Sequence, residues 1–271
     1  MISPVVALKD QSIINQYKSK LPQSLIIVAE PGLDGLAVAE QLAKVHSADV
    51  LKLDIIKNKT LISVEQTREL VMSLRTNPAN KRLVIVPRAE LMSEQAQNSL
   101  LKAIEEPGSD TYFVLITPSL DSLLVTIQSR CQHLTLHRTS SAQDVKIIDR
   151  FELPDTKKQQ ILFLAAGRPL LIEQLAKNPK VFEQHKQLAT DAKQLLAKPR
   201  DYQTLAQLNK YTVDRHQLLE LIDILIRLIK FKIHQSGSAA PLTDILSRAE
   251  AAESLLKSNG STKLALLKLV V

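Results

Sequence analysis

The chain has 271 residues, 45% of them hydrophobic and 23% charged. This composition excludes a disordered chain, and the length suits two or three domains better than one compact core. Aromatic residues make up 3%, with no Trp, which argues against recognition of nucleic acid by base stacking.

The net charge of +7 is spread along the chain with no run of five Lys or Arg. It fits a mildly basic soluble surface as well as contact with phosphates or an acidic partner. A single cysteine, Cys131, excludes an intrachain disulfide and a CxxC zinc pair. The first residues, MISPVVALKD, lack the basic stretch and apolar core of a signal peptide. No apolar run approaches the ~20 residues needed to span a bilayer. The expectation is a cytoplasmic protein with no membrane contact.

In chain order, Leu25 to Ala29 is a candidate buried strand, followed by a helix from about Gly35 to His46 and a second strand over Val50 to Ile55. Ser63 and Gln66 make a capping box that opens a helix running to about Leu74. Leu83 to Val86 is a third strand, and Ser93 caps a helix that reaches Glu106 and stops at Pro107. Tyr112 to Thr117 and His133 to Leu136 are the fourth and fifth strands. Near-continuous apolar strands alternating with helices predict a parallel sheet covered on both faces.

After Arg138 the strands stop. Ser141 to Phe151, Asp155 to Ala166 and Pro169 to Ala176 read as three short helices, punctuated by Pro154, Gly167 and Pro179. From Val181 onward the pattern is helical. Its longest piece, Asp214 to His234, repeats Leu218, Leu221, Ile222, Leu225, Ile229 and Ile233 at helical spacing. Gln235 to Pro241 is the most linker-like segment.

The stretch from Asn98 to Cys131 carries the most information. Leu100-Leu101-Lys102-Ala103-Ile104-Glu105-Glu106-Pro107 leads into the strand Phe113 to Thr117, and then to Ser129-Arg130-Cys131. This order resembles a signature of bacterial clamp-loader subunits of the AAA+ family, and weaker resemblance extends over nearly the whole chain. Asn259 to Leu269 is similar to the family's closing collar helix. Arg130 follows a short helix and precedes a strand, so it sits at an element end. Its planar fork there can reach a phosphate in a neighbouring subunit, or pair with a nearby carboxylate. Cys131 reads as a small buried filler rather than a reactive thiol. Glu105 and Glu106 lie at a helix C-terminus, the unfavourable end for carboxylates, which suggests partners outside the helix or a solvated pair.

A working phosphate loop reads GxxxxGK[ST] after the first strand. Here the place is taken by Glu30-Pro31-Gly32-Leu33-Asp34-Gly35-Leu36. Gly35 and Leu36 stand where the Lys and the metal-binding hydroxyl belong; a frame slid by one gives Leu36 and Ala37 instead. Glu30 and Asp34 add negative charge, and the nearest downstream Lys is Lys44. After the third strand, Pro87-Arg88 replaces the acidic pair that would hold magnesium, with Glu90 two residues late. Leu170 occupies the position of the family's lid Arg, with Arg168 near but shifted. Thr117 stands where the family places a polar sensor, and reads equally as a plain strand-end Thr. No cofactor and no metal is expected, and the four-cysteine zinc module of many family members has no counterpart.

Within the family the pattern resembles the delta-prime type. The resemblance implies an AAA+-like α/β domain over 1–138, a small helical lid domain over 139–179 and an all-helical collar domain over 180–271. It implies a subunit that is not an enzyme by itself, with Arg130 serving a neighbour's ATP between its motif neighbours Ser129 and Cys131. Implied partners are the ATPase (gamma/tau-type) and delta-type subunits, with the sliding clamp and primer-template DNA reached through the complex. An active gamma-type ATPase and a clamp-opening delta-type subunit are the alternatives.

Overall fold

The computed structural model describes residues 4–56, 59–76, 79–198, 202–236, 240–257 and 260–269. Helix α1 (Gln11–Ser19) precedes β1 (Ser24–Val28), α2 (Gly35–Val45) and β2 (Asp49–Lys52). Then come α3 (Val64–Ser73), β3 (Arg82–Val86), α4 (Glu94–Glu105) and β4 (Thr111–Thr117). The short α5 (Val125–Gln128), β5 (Gln132–Thr135) and α6 (Ser141–Ile148) follow.

The five strands form one parallel sheet in the order β2-β3-β4-β1-β5. Strand periodicity explains the unbroken apolar runs. Leu25, Ile27, Leu83, Ile85, Val114 and Ile116 face one layer, with Val38 and Leu42 of α2 and Ile14 of α1. Ile26, Val84, Val86, Phe113 and Leu115 face the other, with Leu100 and Ile104 of α4. Both faces are therefore core, as a parallel sheet requires.

Local chemistry sets the element ends. Ser63 accepts from the Gln66 amide and Gln66 Oε1 accepts from the Ser63 amide, so both bonds of the capping box form. Ser93 caps α4 by accepting from Ala96 N. β2 is shorter than the predicted run to Ile55. Leu53 N still donates to Ile85 O at 2.9 Å, but the next ladder bond belongs to residue 87, and Pro87 has no N–H to give. α1, absent from the sequence reading, buries Ile14 and Tyr17 at a three-residue spacing.

The remaining helices are α7 (Asp155–Ala165), α8 (Pro169–Lys177), α9 (Pro179–Ala197), α10 (Tyr202–Leu208), α11 (Arg215–Ser236), α12 (Ala240–Lys257) and α13 (Thr262–Lys268). The chain divides into two compact units, Met1–Pro154 with Ala165–Glu173, and Asp155–Leu164 with Gln174–Val271. The 139–179 segment is thus shared between the two.

In the second unit the predicted α11 stripe is buried from Leu218 through Ile229. Asp191, itself buried, accepts from Tyr211 Oη at 2.6 Å and from Gln187 Nε2 at 2.8 Å, and pairs with Lys210 Nζ at 2.8 Å. Burial alone would raise the Asp191 carboxyl; the bonds from Lys210, Tyr211 and Gln187 together hold it below its ordinary value. Arg215 ties down the end of α12, donating to Leu256 O at 2.6 Å and Gly260 O at 2.8 Å. Of the predicted linker, Gln235 and Ser236 close α11 and Ala240 opens α12, while 237–239 lie outside the described residues. The predicted closing helix is α13; Asn259 lies outside the described residues.

Candidate functional site

In an open parallel sheet a ligand binds at the carboxyl ends of the strands, where the strand order reverses. Here that point lies between β1 and β4, and the loop leaving β1 carries the residues that the sequence reading placed in a degenerate phosphate loop. The structure brings Pro31, Gly32, Gly35 and Leu36 together there, and the chain fills the site with its own groups.

Asp34 caps α2, its carboxylate accepting from Ala37 N at 3.1 Å. The helix N-terminus that would otherwise hold a phosphate is thereby occupied. Burial pushes the Asp34 carboxyl up, against the Ala37 hydrogen bond, with Glu40 and Glu173 adding to the rise. Glu30 pairs with Arg138 at 3.0 Å. Gly32, at φ +95°, accepts from Leu170 N at 3.0 Å, and a Cβ on it would lie 2.9 Å from Arg168 Cβ. A Cβ at Gly35 would stand 2.9 Å from Ile116 Cγ2 and 3.1 Å from Ala29 Cβ, so the Lys register has no room for a long side chain.

Nearby polar groups are also engaged. Arg168 is buried and donates through Nε to Ala165 O at 2.8 Å. Thr117 is buried, with Oγ1 donating to Ser119 O at 2.8 Å and lying 2.7 Å from Ser122 Oγ. It closes its own turn. Arg88 turns to Asp54 at 2.8 Å, and burial raises the Glu90 carboxyl. Among the described residues no group of three or more His, Cys, Asp and Glu is placed to hold a metal ion.

Ser129, Arg130 and Cys131 lie at the opposite end of the sheet. β5 starts at Gln132 and runs parallel to β1, so Arg130 sits where the strands begin. Strands of five residues at ~3.3 Å each put roughly 16 Å between the two ends.

Buried Gln97, near the start of α4, fixes the turn that leads into α5. It accepts from Leu124 N at 2.8 Å and donates to Ser122 O at 3.3 Å, locking the turn that starts α5. Ile127 of α5 is fully buried. Cys131 packs against the same core, and burial pushes its thiol up to about 12. The side chain is half-buried rather than fully buried.

Arg130 has a 39% exposed side chain, and its Nε lies 2.5 Å from Glu105 Oε1 at the end of α4. Nη1 donates to Thr126 O at 2.8 Å and to Ser129 Oγ at 3.3 Å. Nη2 has no partner among the described residues. Glu105 thus finds the partner outside its helix that its unfavourable position suggested. A cavity of about 440 Å³ opens at this same end, lined by Val71, Leu74, Lys102, Ala103 and Phe113 among others.

A family model described as "DNA polymerase III, delta subunit" matches residues 37–140. The DNA polymerase III subunit delta' of Pseudomonas aeruginosa is 34% identical over 140 residues, 50% of this chain and 42% of that protein. That of Haemophilus influenzae is 40% identical over 140 residues, 48% of this chain and 41% of that protein. The chain is similar to bacterial DNA polymerase III subunits of the delta-prime type. It spans about two fifths of the length of these relatives.

The matched span includes Ser129-Arg130-Cys131 and begins one residue past Leu36. Among solved structures, a gamma subunit-related protein of DNA polymerase III from Thermotoga maritima has TM-score 0.52 at 19% identity, over 96% of each chain. The RuvB Holliday junction branch migration motor of the same organism has TM-score 0.50 at 16% identity, over 96% of this chain and 85% of that one. These likenesses fix the fold alone: an AAA+-like parallel sheet followed by helices.

Proposed function

We propose that the chain is a non-hydrolysing structural subunit of a replicative sliding-clamp loader, and that it donates Arg130 to the ATP site of a neighbouring subunit. The observation that carries this reading is the separation of the two sites. Arg130 is exposed, roughly 16 Å along the strands from a phosphate loop whose space and donors are already taken. It has no nucleotide of its own chain to serve. An Arg fork at that end stabilises developing charge on a phosphoryl group only if another subunit brings one.

The partners in this reading are the ATPase and delta-type subunits, with clamp and primer-template DNA met through the assembly, in the cytoplasm. Among the described residues no helix is long and apolar enough to cross a membrane. The helical second unit leaves Val213, Phe231, Leu264 and Leu267 exposed, which suits burial against other subunits.

Two measurements test the proposal together. Titration calorimetry of the isolated chain with magnesium-ATP should give no saturable binding in the micromolar range. In the reconstituted complex, Arg130→Ala should leave assembly intact and depress DNA- and clamp-stimulated ATPase. Micromolar ATP binding, or wild-type turnover and clamp loading by the variant, would refute it.

A further inference from the structure

We infer that Glu105 is a positioning residue for Arg130, holding the guanidinium so that its free Nη2 edge meets the neighbour's phosphate already aimed. The inference rests on the reading of Arg130 as a finger acting in trans.

The ion pair is poorly explained as a stabilising contact. Both partners are about two-fifths exposed, at 39% and 42%, and pairs of that kind add little to folding. Its geometry is more informative. Glu105 takes the Nε corner, while Thr126 O and Ser129 Oγ take both Nη1 protons. Nη1 gives its hydrogen bonds to the chain itself, and Nε carries the ion pair. The two N–H groups of Nη2 have no partner among the described residues and suit a phosphoryl oxygen.

The supports are rigid. Glu105 closes α4, Arg130 follows α5, and Gln97 ties the two helices through Leu124 N and Ser122 O. A free Arg would have to be ordered at the moment of reaction, at a cost of up to roughly thirtyfold in an equilibrium. Pre-ordering by Glu105 recovers part of that factor in the transition state.

The test is a set of variants in the reconstituted clamp-loader complex, read as kcat and KM for ATP. Glu105→Ala should lower kcat about threefold to tenfold with KM unchanged, because the finger acts in the transition state. Glu105→Gln keeps an oxygen beside Nε and should stay within about twofold of wild type. In an Arg130→Ala background Glu105→Ala should add nothing.

An unchanged kcat for Glu105→Ala, a raised one, or an equal fall in the Arg130→Ala background overturns the inference. A separate readout distinguishes this failure from failure of the finger reading. Order of the Arg130 side chain, followed by 15N relaxation at Nε on the isolated chain, should be high in wild type and low in Glu105→Ala. If that contrast is absent, the positioning role falls while Arg130 can still act. If Arg130→Ala itself has no effect on turnover, the finger reading falls and the positioning role falls with it, whatever the relaxation result.

Discussion

The two ends of the sheet present opposite balances of hydrogen-bonding groups. At the carboxyl ends of the strands, Asp34 caps α2, Arg138 answers Glu30, and Leu170 N closes on Gly32 O. At the amino ends an exposed Arg keeps one edge of its fork unused. The carboxyl end spends its polar groups on its own structure, and the end that keeps an exposed Arg is the one away from it. Substitutions at the two ends should therefore separate cleanly, turnover responding to one and stability to the other.

The largest effect should come from Arg130→Ala. If Arg130 acts as proposed, it contributes on the order of 10³ or more in turnover at the site it serves, and the whole complex should lose less because its other sites keep theirs. Folding stability, read by urea unfolding, should change by less than about 0.5 kcal/mol, as for other exposed side chains. A stability loss comparable with those predicted below for the phosphate-loop end would break the contrast between the two ends.

Cys131 sharpens the picture at the same end. Its thiol is pushed up to about 12 by burial, against ~8.5 for a free one. At pH 8 the thiolate fraction falls from about a quarter to about 10⁻⁴, so alkylation by iodoacetamide should be roughly 10³-fold slower than in the unfolded chain. Rapid labelling of the native protein would make Cys131 a reactive group beside Arg130 instead of packing beneath it.

Much of this could be read from the residues, for identifiable reasons. The strands showed as apolar runs because both sheet faces are covered, and Ser63 with Gln66 announced its helix through a local bond pattern. The overrun of β2 came from judging Leu53 to Ile55 by their own apolarity, when the missing N–H of Pro87 on the neighbouring strand ends the ladder. α1 has Ile14 and Tyr17 at a helical spacing, but no side-chain cap marks its start in the sequence. Gly35 at the expected Lys position was visible; the closing of Leu170 and Arg168 on Gly32, more than 130 residues later, was not. Glu105 and Arg130 likewise meet only because β4 carries the chain across the sheet and residues 118–131 bring it back.

Gly32→Ala should be the strongest change at the phosphate-loop end. The residue holds φ +95°, and the added Cβ would meet Arg168 Cβ at 2.9 Å. Left-handed backbone in a residue with a Cβ costs of order 1–3 kcal/mol. Gly108→Ala, at the Arg130 end, is the control. Its Cβ meets nothing within 4 Å, and its unfolding midpoint should move little. Equal losses in the two variants would mean that the phosphate loop is no more tightly packed than an exposed turn.

The smallest effect, and the one that resolves charge from capping, is at Asp34. Asp34→Ala leaves the first turn of α2 without its cap and should cost about 1 kcal/mol. Asp34→Asn keeps a capping oxygen and removes the charge. Because burial raises the Asp34 carboxyl above its ordinary value of 3.8, the folded state holds that proton more tightly than the unfolded one. Its contribution is full below the unfolded pKa and is lost as the pH rises through the folded one. Asn carries no such penalty. Unfolding of the two proteins should therefore coincide near pH 3 and diverge in favour of Asp34→Asn toward pH 7, with Asp34→Ala below both across the range. Turnover in the complex should be the same for all three. A variant that gains stability only at low pH would reverse the sign and mean that the carboxylate is stabilised by the helix end rather than penalised by burial. Measurable ATP binding by Asp34→Ala would show that the cap alone had been excluding phosphate.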